Sequence, residues 1–422
     1  MNYFGTDGIR LKEEFFTEKF LYSLVGAVAR LDYKCVCIAR DTRRSGVFIE
    51  SALSFLFNLF NIEVISLGIV PSPCLALCTR ILKCDLGIVI TASHNPPEYN
   101  GIKFFDCFGK KIPKKIEEQI ENYLKSEYLF SLLRQKSRVF SGKDLYIEYL
   151  CDNFSFNLEN SKILLDCANG ATSNFVKDVF SQFFCSVTTV NDSDNGELIN
   201  VNCGATHPKI VKNYDLAFFY DGDGDRVIAS NENSILDGDA LIYLVTKDYK
   251  TKHLLNNNVV VGTVMTNMGV ERAYKNLGVK LLRSDVGDRC VYDLMQKSGA
   301  YLGGENSGHI IFGNYFATGD GIFSSLYLAD INVKKKLSTE EITLLPTFNS
   351  EVFGEENALI YAINNVTIPK FDSVRTVVRK SGTEPKIRIT VESENTDSGK
   401  NALNLITDMI KEKVNEYIQN KD

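Results

Sequence analysis

The sequence predicts an α/β protein of several domains, with three α/β units in series and a small α+β domain at the end. Three observations carry this reading. At 422 residues the chain exceeds one ordinary core, and the usual domain size points to roughly three or four units. Short β-branched runs alternate with amphipathic helical stretches, the pattern of parallel strands joined by crossover helices. After Thr339 the texture changes to short strands and a final helix.

In the first unit the periodicity predicts a helix from about Thr17 to Leu31, then a strand Lys34 to Ala39 that runs into Arg40-Asp41-Thr42-Arg43. A helix from about Val47 to Phe60, a strand near Glu63 to Leu67 and a buried strand Leu86 to Ile90 follow, with helices near Ile116 to Leu124 and Leu145 to Asn153. The second unit opens with a strand Ser161 to Asp166 that ends in Asn169-Gly170-Ala171. It continues with a helix Asn174 to Phe183 and strands Ser186 to Val190 and Leu216 to Tyr220. The third restarts near Gly238 with a helix, then strand Val259 to Val264, helix Met268 to Leu277, strand Lys280 to Arg283 and helix Arg289 to Lys297. Pro346 and the polar stretch Asn349 to Asn357 read as a linker, before a strand Ile387 to Val391 and a helix Gly399 to Tyr417. The expected domains are therefore 1–150, 151–236, 237–345 and 346–422, and the similar size of the first three suggests an internal repeat without literal sequence identity.

Hydrophobic residues make up 44% and charged residues 24%, the balance of a soluble globular chain. A net charge of -6 argues against nucleic acid, whose phosphate backbone needs a basic face, but leaves room for a small anion gripped by a few arginines. The 11 cysteines are scattered without a CxxC pair, so no zinc site is expected; Cys35, Cys37 and Cys167 read as reduced core residues. The stretch MNYFGTDGIR lacks the apolar core of a signal peptide, and no window is apolar for long enough to span a bilayer. The expectation is a protein of a reducing cytoplasm with neither nucleic-acid nor membrane partners.

Chemistry concentrates in five stretches. Thr91 to Lys103 (TASHNPPEYNGIK) follows the apolar run LGIVI and turns abruptly polar, which puts Ser93 on a loop at the carboxyl end of a strand, where open α/β sheets bind ligands. A hydroxyl there, beside imidazole, amide and ammonium groups, could carry a phosphoryl group. Asp221, Asp223 and Asp225 alternate with glycines directly after a strand (DGDGDR), a cluster that repels itself unless a cation neutralises it. Glu232 stands where an EF-hand would need it, but Arg226 occupies that loop's glycine position and strands flank the segment; a solvated acidic turn is the other alternative. Arg379 to Arg388 (RKSGTEPKIR) combines exposed backbone N–H groups with two arginines, a phosphate cradle or else a Gly-Thr turn on a basic face. Gly304 to His309 (GENSGH) mixes carboxylate, hydroxyl and imidazole, a sugar-binding loop or an ordinary turn; FGTDGIR at the start carries Asp7 and Arg10.

FGTDGIR, TASHNP, DGDGDR, GENSGH and RKSGTEPKIR, in that order over nearly the whole chain, closely resemble the α-D-phosphohexomutase superfamily. NGIKFFDCFGKKI, INVNCGATHP, VGDRCVYDLM and GGENSGHIIFGNYFATGDGI make it most similar, within that superfamily, to the bacterial phosphoglucosamine mutases. The resemblance implies four domains around a central cleft, the fourth smaller and more mobile. It implies phosphoserine at Ser93 and one Mg²⁺ held by that phosphate with Asp221, Asp223 and Asp225. Arg10 and Lys103 would lie at the transferred group, with Lys103 and His309 as proton carriers. Glu305 and Ser307 would hold sugar hydroxyls, and Arg379, Ser381, Gly382, Thr383 and Arg388 the phosphate that does not react. The implied reaction interconverts glucosamine 6-phosphate and glucosamine 1-phosphate through a bisphosphate, in a monomer or homodimer. Phosphoglucomutase or phosphomannomutase activity, a phosphatase, and a non-catalytic sugar-phosphate-binding relative are the alternatives. One departure stands out: Leu11 replaces the glycine that often follows the first arginine, and Leu11 to Thr17 is shortened.

Overall fold

A computed structural model describes the chain except for Met1, Asn2, Thr6, Lys125, residues 127–136, Gly382, Thr383 and residues 420–422. The chain divides into two compact units, Met1–Thr263 with Leu282–Ser338, and Val264–Leu281 with Thr339–Asp422.

The first sheet of the large unit is built from β1 (Phe4–Gly5), β2 (Gly8–Lys12), β3 (Cys35–Arg40), β4 (Glu63–Ile69), β5 (Leu86–Ile90), β6 (Tyr99–Asp106) and β7 (Ser137–Val139), in the order β1-β2-β6-β5-β3-β4-β7. Its helices are α1 (Glu18–Ala29), α2 (Arg44–Leu59), α3 (Ser72–Ile81), α4 (Lys114–Tyr123) and α5 (Gly142–Asn153). Thr17 caps α1 by accepting from Phe20 N–H at 3.2 Å, which satisfies one of the amides that a helix start leaves open. Leu21 and Val25 of α1 and Leu53 and Phe57 of α2 bury against Val36, Val64 and Ile88 of the sheet. β3, β4 and β5 are parallel as the alternation predicts, but β6 runs antiparallel to both β5 and β2, so the sheet is mixed. Sequence reading passed over β6 because Asn100 and Lys103 interrupt its apolar pattern, yet both side chains are buried in it. Gly101 is required there: a Cβ would lie 2.4 Å from Thr91 O and 2.5 Å from Ile9 O. α3 escaped for the opposite reason, since it is buried from Ser72 to Thr79 and has no polar face to reveal its period. The shortened start does not dislocate β2, where Arg10 pairs with Gly101 and Leu11 with Asn100.

The second sheet comprises β8 (Lys162–Asp166), β9 (Ser186–Val190), β10 (Leu216–Tyr220), β11 (Val227–Ser230) and β12 (Ile235–Leu236), in the order β12-β11-β10-β8-β9, with α6 (Val176–Ser181) beside it. β8, β9 and β10 are parallel, whereas β10 and β11 form an antiparallel pair joined by DGDGDR. Strands on both sides of that loop remove the EF-hand reading, which needs helices. The third sheet has β13 (Val259–Thr263), β14 (Lys280–Ser284), β15 (Leu302–Gly304) and β16 (Ile310–Phe312) in the order β14-β13-β15-β16. Around it in the chain come α7 (Gly238–Thr251), α8 (Met268–Asn276), which groups with the small unit, α9 (Asp288–Ser298) and α10 (Gly321–Lys334).

α10 is buried from Gly321 to Ile331, so it too lacks an amphipathic signature. Asp320 caps it, accepting from Phe323 N–H at 2.9 Å and from the Tyr146 hydroxyl at 3.0 and 2.8 Å. Burial pushes the Asp320 carboxyl up to about 6 from the ordinary 3.8, against the lowering effect of those hydrogen bonds. The native state therefore holds this proton more tightly than the unfolded chain. Its contribution to stability is present below about pH 4 and lost as the pH rises through about 6, a change of roughly 3 kcal/mol. Asp320→Asn keeps a cap acceptor without the charge. We expect its melting temperature, relative to the parent, to climb between about pH 4 and pH 7; a difference flat with pH would contradict the assignment.

The small unit carries a three-stranded antiparallel sheet, β17 (Thr347–Phe353), β18 (Val374–Lys380) and β19 (Lys386–Ser393), in the order β17-β19-β18, with α11 (Glu356–Asn365) and α12 (Thr396–Gln419). β17 corrects the expected linker over Asn349 to Asn357. Its polar residues mask a period of two in which Phe348 and Val352 turn toward the core while Asn349, Glu351 and Phe353 are exposed.

Candidate active site

The Ser93 loop leaves the carboxyl end of β5 and is held from beneath by a buried guanidinium. Arg43 donates to Ser93 O at 3.0 Å, Asn95 O at 2.7 Å, Tyr99 O at 2.8 Å and Pro96 O, while its Nε pairs with Asp41 at 2.9 Å. Asp41 accepts from Thr91 Oγ1 at 2.7 Å, and Thr91 Oγ1 accepts from Ser93 N–H at 2.8 Å. Asn200 adds a donor to Ser93 O at 2.8 Å. This scaffold keeps Ser93 at φ 53°, a left-handed conformation that an ordinary residue adopts only when its surroundings impose it. Asp41 and Arg43 were visible in the sequence only as the polar end of β3, and Asn200 only as part of the stretch INVNCGATHP, with no role. Their position past the carboxyl ends of parallel strands is the signal that could have found them.

The strained turn aims Ser93 Oγ at Asp221, 2.7 Å away, with His94 Nδ1 at 3.3 Å. Burial, with Arg226 and Arg10 nearby, pushes the His94 imidazole down to about 3, so it is neutral. One oxygen from each of Asp221, Asp223 and Asp225 lies within 4.8 Å of the others, the one such cluster of His, Cys, Asp and Glu among the described residues. Burial first, then Asp225 and Asp223, push the Asp221 carboxyl up to about 8. Asp223 Oδ1 and Asp225 Oδ1 are buried with no hydrogen-bond partner. Crowded hard oxygens, two of them unspent, fit a divalent cation of the Mg²⁺ type.

Lys103 Nζ sits against the other face of the cluster, 2.7 Å from Asp223, 2.9 Å from Asp225 and 3.0 Å from Asp7. Burial pulls this ammonium down, but Asp223, Asp225 and Asp7 outweigh it and hold it well above the ordinary lysine value. Arg10 donates to Asp7 and Asn95, each at 3.0 Å, which places it between the first loop and the serine loop. GENSGH turns between β15 and β16, and its Gly308 O accepts from Val227 N–H at 3.0 Å, so it rests on the aspartate loop. His309 faces Asp225 through Nδ1 at 3.7 Å, while its Nε2 accepts from Gly319 N–H at 3.0 Å. Burial disfavours a charged ring and the two carboxylates Asp225 and Asp288 favour it more strongly, but charging it breaks the Gly319 bond. Glu305 Oε1 accepts from Gly287 N–H at 3.0 Å, and Ser307 Oγ is buried with no partner.

Ser93, Arg10, Lys103, His309 and the three aspartates thus meet in the large unit, with Glu305 and Ser307 on the adjoining turn. Arg379, Ser381 and Arg388 form a separate group in the small unit, and Gly382 and Thr383 lie outside the described residues. In that group Arg379 stands directly opposite Arg388 across β18 and β19, a like-charged pair that is unfavourable without counter-charge. Arg388 meets Glu384 at 3.1 Å and Glu351 at 3.5 Å.

Family models of the phosphoglucomutase/phosphomannomutase type match the chain in order: alpha/beta/alpha domain I over residues 1–129, domain III over residues 237–348 and the C-terminal domain over residues 348–407. The chain belongs to this phosphohexomutase family. Curated relatives include the phosphoglucosamine mutase of Finegoldia magna, 38% identical over 97% of this chain and 98% of that protein. Another is the phosphoglucosamine mutase of Thermotoga neapolitana, 41% identical over 93% and 95%. Among solved structures, a phosphoglucomutase/phosphomannomutase family protein of Burkholderia thailandensis matches with TM-score 0.82 at 20% identity, over 98% of this chain and 97% of that one. The Aspergillus fumigatus N-acetylphosphoglucosamine mutase, solved with GlcNAc-6P and magnesium, matches with TM-score 0.67 at 16% identity, over 98% and 96%. At such identities the structural likeness speaks for the phosphohexomutase fold alone. No helix among the described residues is long and apolar enough to cross a membrane.

Proposed function

We propose that this phosphohexomutase interconverts glucosamine 6-phosphate and glucosamine 1-phosphate, with Ser93 carried as phosphoserine. The observation that carries the reading is the Ser93 hydroxyl set 2.7 Å from a buried carboxylate cluster that still has unspent oxygens. Full-length relatives named phosphoglucosamine mutase favour glucosamine over glucose or mannose.

In the forward direction O1 of glucosamine 6-phosphate gives up its proton and bonds to phosphorus as the phosphoserine P–O bond breaks, and the departing Ser93 oxygen takes up a proton, leaving a 1,6-bisphosphate and a free Ser93 hydroxyl. The bisphosphate turns over in the site, Ser93 Oγ gives up its proton and bonds to the 6-phosphorus as the P–O6 bond breaks, and O6 takes up a proton as glucosamine 1-phosphate is released. Asp221, Asp223 and Asp225, with a phosphoserine oxygen, would hold one Mg²⁺; when bound, the ion supplies positive charge to the transferring group. Lys103 enters as an ammonium held tightly by Asp223, Asp225 and Asp7, so its first role is to stabilise charge, and as a candidate proton carrier it would start as the donor. Arg10 lies next to it on the serine loop. His309, with Nδ1–H toward Asp225, is the second candidate for moving a proton. Glu305 and the unpartnered Ser307 hydroxyl suit sugar hydroxyls. In the small unit Arg379, Ser381, Gly382, Thr383 and Arg388 would hold the phosphate that does not react.

A panel of glucosamine, glucose and mannose phosphates tests the substrate. We expect kcat/KM for glucosamine phosphate to exceed the others by at least about tenfold, about what one net hydrogen bond to the substrate contributes. A preference for glucose or mannose phosphate would reassign the chain within the family.

A further inference from the structure

Lys111 lies outside the five sequence motifs, yet it closes the charge network from behind. Its backbone pairs with Phe105 at the end of β6, and its side chain is 10% exposed. The ammonium is shared between Asp7, on the turn between β1 and β2, and Asp288, the first residue of α9. Asp7 turns its other oxygen to Arg10 Nη2 and Lys103 Nζ, each at 3.0 Å. Asp288 Oδ2 stands 3.7 Å from His309 Nε2. One cation therefore spans the two carboxylates that back the two candidate proton carriers.

We propose that Lys111 is a positioning residue for the transfer reaction. It occupies Asp7 Oδ1, so the carboxylate plane presents Oδ2 to Lys103 and Arg10, and it keeps Asp288 from closing on the His309 ring. Without it, two poorly solvated carboxylates lose their shared counter-ion and must rotate toward the remaining cations and the imidazole. A shift of about 1 Å in a reacting group can cost about a hundredfold in rate, so the effect should fall on kcat.

The surroundings supply a direct test. Lys111 lines a cavity of about 360 Å³ together with Lys110, Asp288, Arg289, Tyr292 and His309, so truncating it opens a route for a small cation to the vacated position. With glucosamine phosphate as substrate, Lys111→Ala should lose at least about thirtyfold in kcat with KM within about threefold. Ethylammonium should restore part of the rate, tetramethylammonium none, and Lys111→Arg should keep more activity than Lys111→Ala. Lys111→Met, which retains the stem, serves if the alanine variant does not fold. A kcat within about threefold of the parent, or equal rescue by both ammonium ions, would overturn the proposal. It rests on the mutase reading, and the two fail separately. A parent chain that turns over no hexose phosphate sinks that reading. A crystal structure of the variant with Asp7 and Lys103 unmoved sinks the role of Lys111.

Discussion

Ser93→Ala is expected to lose mutase turnover by at least about a thousandfold while remaining folded, because the covalent step needs a hydroxyl at that position and alanine has none. The Ser93 side chain makes its close contacts with Asp221 and His94, whereas the loop is held through the Ser93 backbone by Arg43, Asn200 and Thr91. Alanine leaves those backbone bonds in place, and the left-handed conformation costs it about what it costs serine. The lost hydroxyl bond to the buried Asp221 should cost about 1–3 kcal/mol of stability. Intact-mass measurement separates mechanism from fold: phosphate should be found on the parent and be absent from the variant. Full turnover by Ser93→Ala would end the phosphoserine mechanism, and phosphate retained by the variant would move it to another side chain.

Asp223→Asn should lower kcat by at least about a hundredfold and melt near the parent. The asymmetry follows from what Asp223 touches. Its Oδ2 accepts from Lys103 at 2.7 Å and from Ser72, and its Oδ1 has no partner. Neutralising it removes one of three carboxylates in a cluster whose mutual repulsion helps raise the Asp221 carboxyl to about 8, which relieves the fold. It also takes a ligand from the proposed cation site and a counter-charge from Lys103, which stays paired with Asp225 and Asp7. Titrating Mg²⁺ while following kcat distinguishes the two losses. A shifted Mg²⁺ requirement with full recovery at saturation would confine Asp223 to metal binding, and parental turnover at ordinary Mg²⁺ would remove it from the site.

Strand and helix alternation was legible in many elements that turn one face to water, as in α1, α2 and α4, although α11 was read as linker and strand despite its exposed face. It failed for α3 and α10, whose uniform burial erases the period, and for β6 and β17, where polar side chains with their own partners sit inside strands. Those failures lie close to function. β6 carries Lys103, and α10 begins directly after the Gly319 amide that pins His309.

The amino-acid order by itself determined the chemistry available here: a serine after a buried strand, three aspartates separated by glycines, and two arginines flanking a Ser-Gly-Thr stretch. Each is a local pattern, because a strand end and its loop are set by adjacent residues. Only the tertiary structure decided that Arg43 would hold the serine loop, that Asp7 would orient Lys103, and that Lys111 would link Asp7 to Asp288. Those partners stand from 50 positions apart upward in the chain, and their pairing is fixed by burial: in water such charges would be screened, whereas inside the fold each must find an opposite.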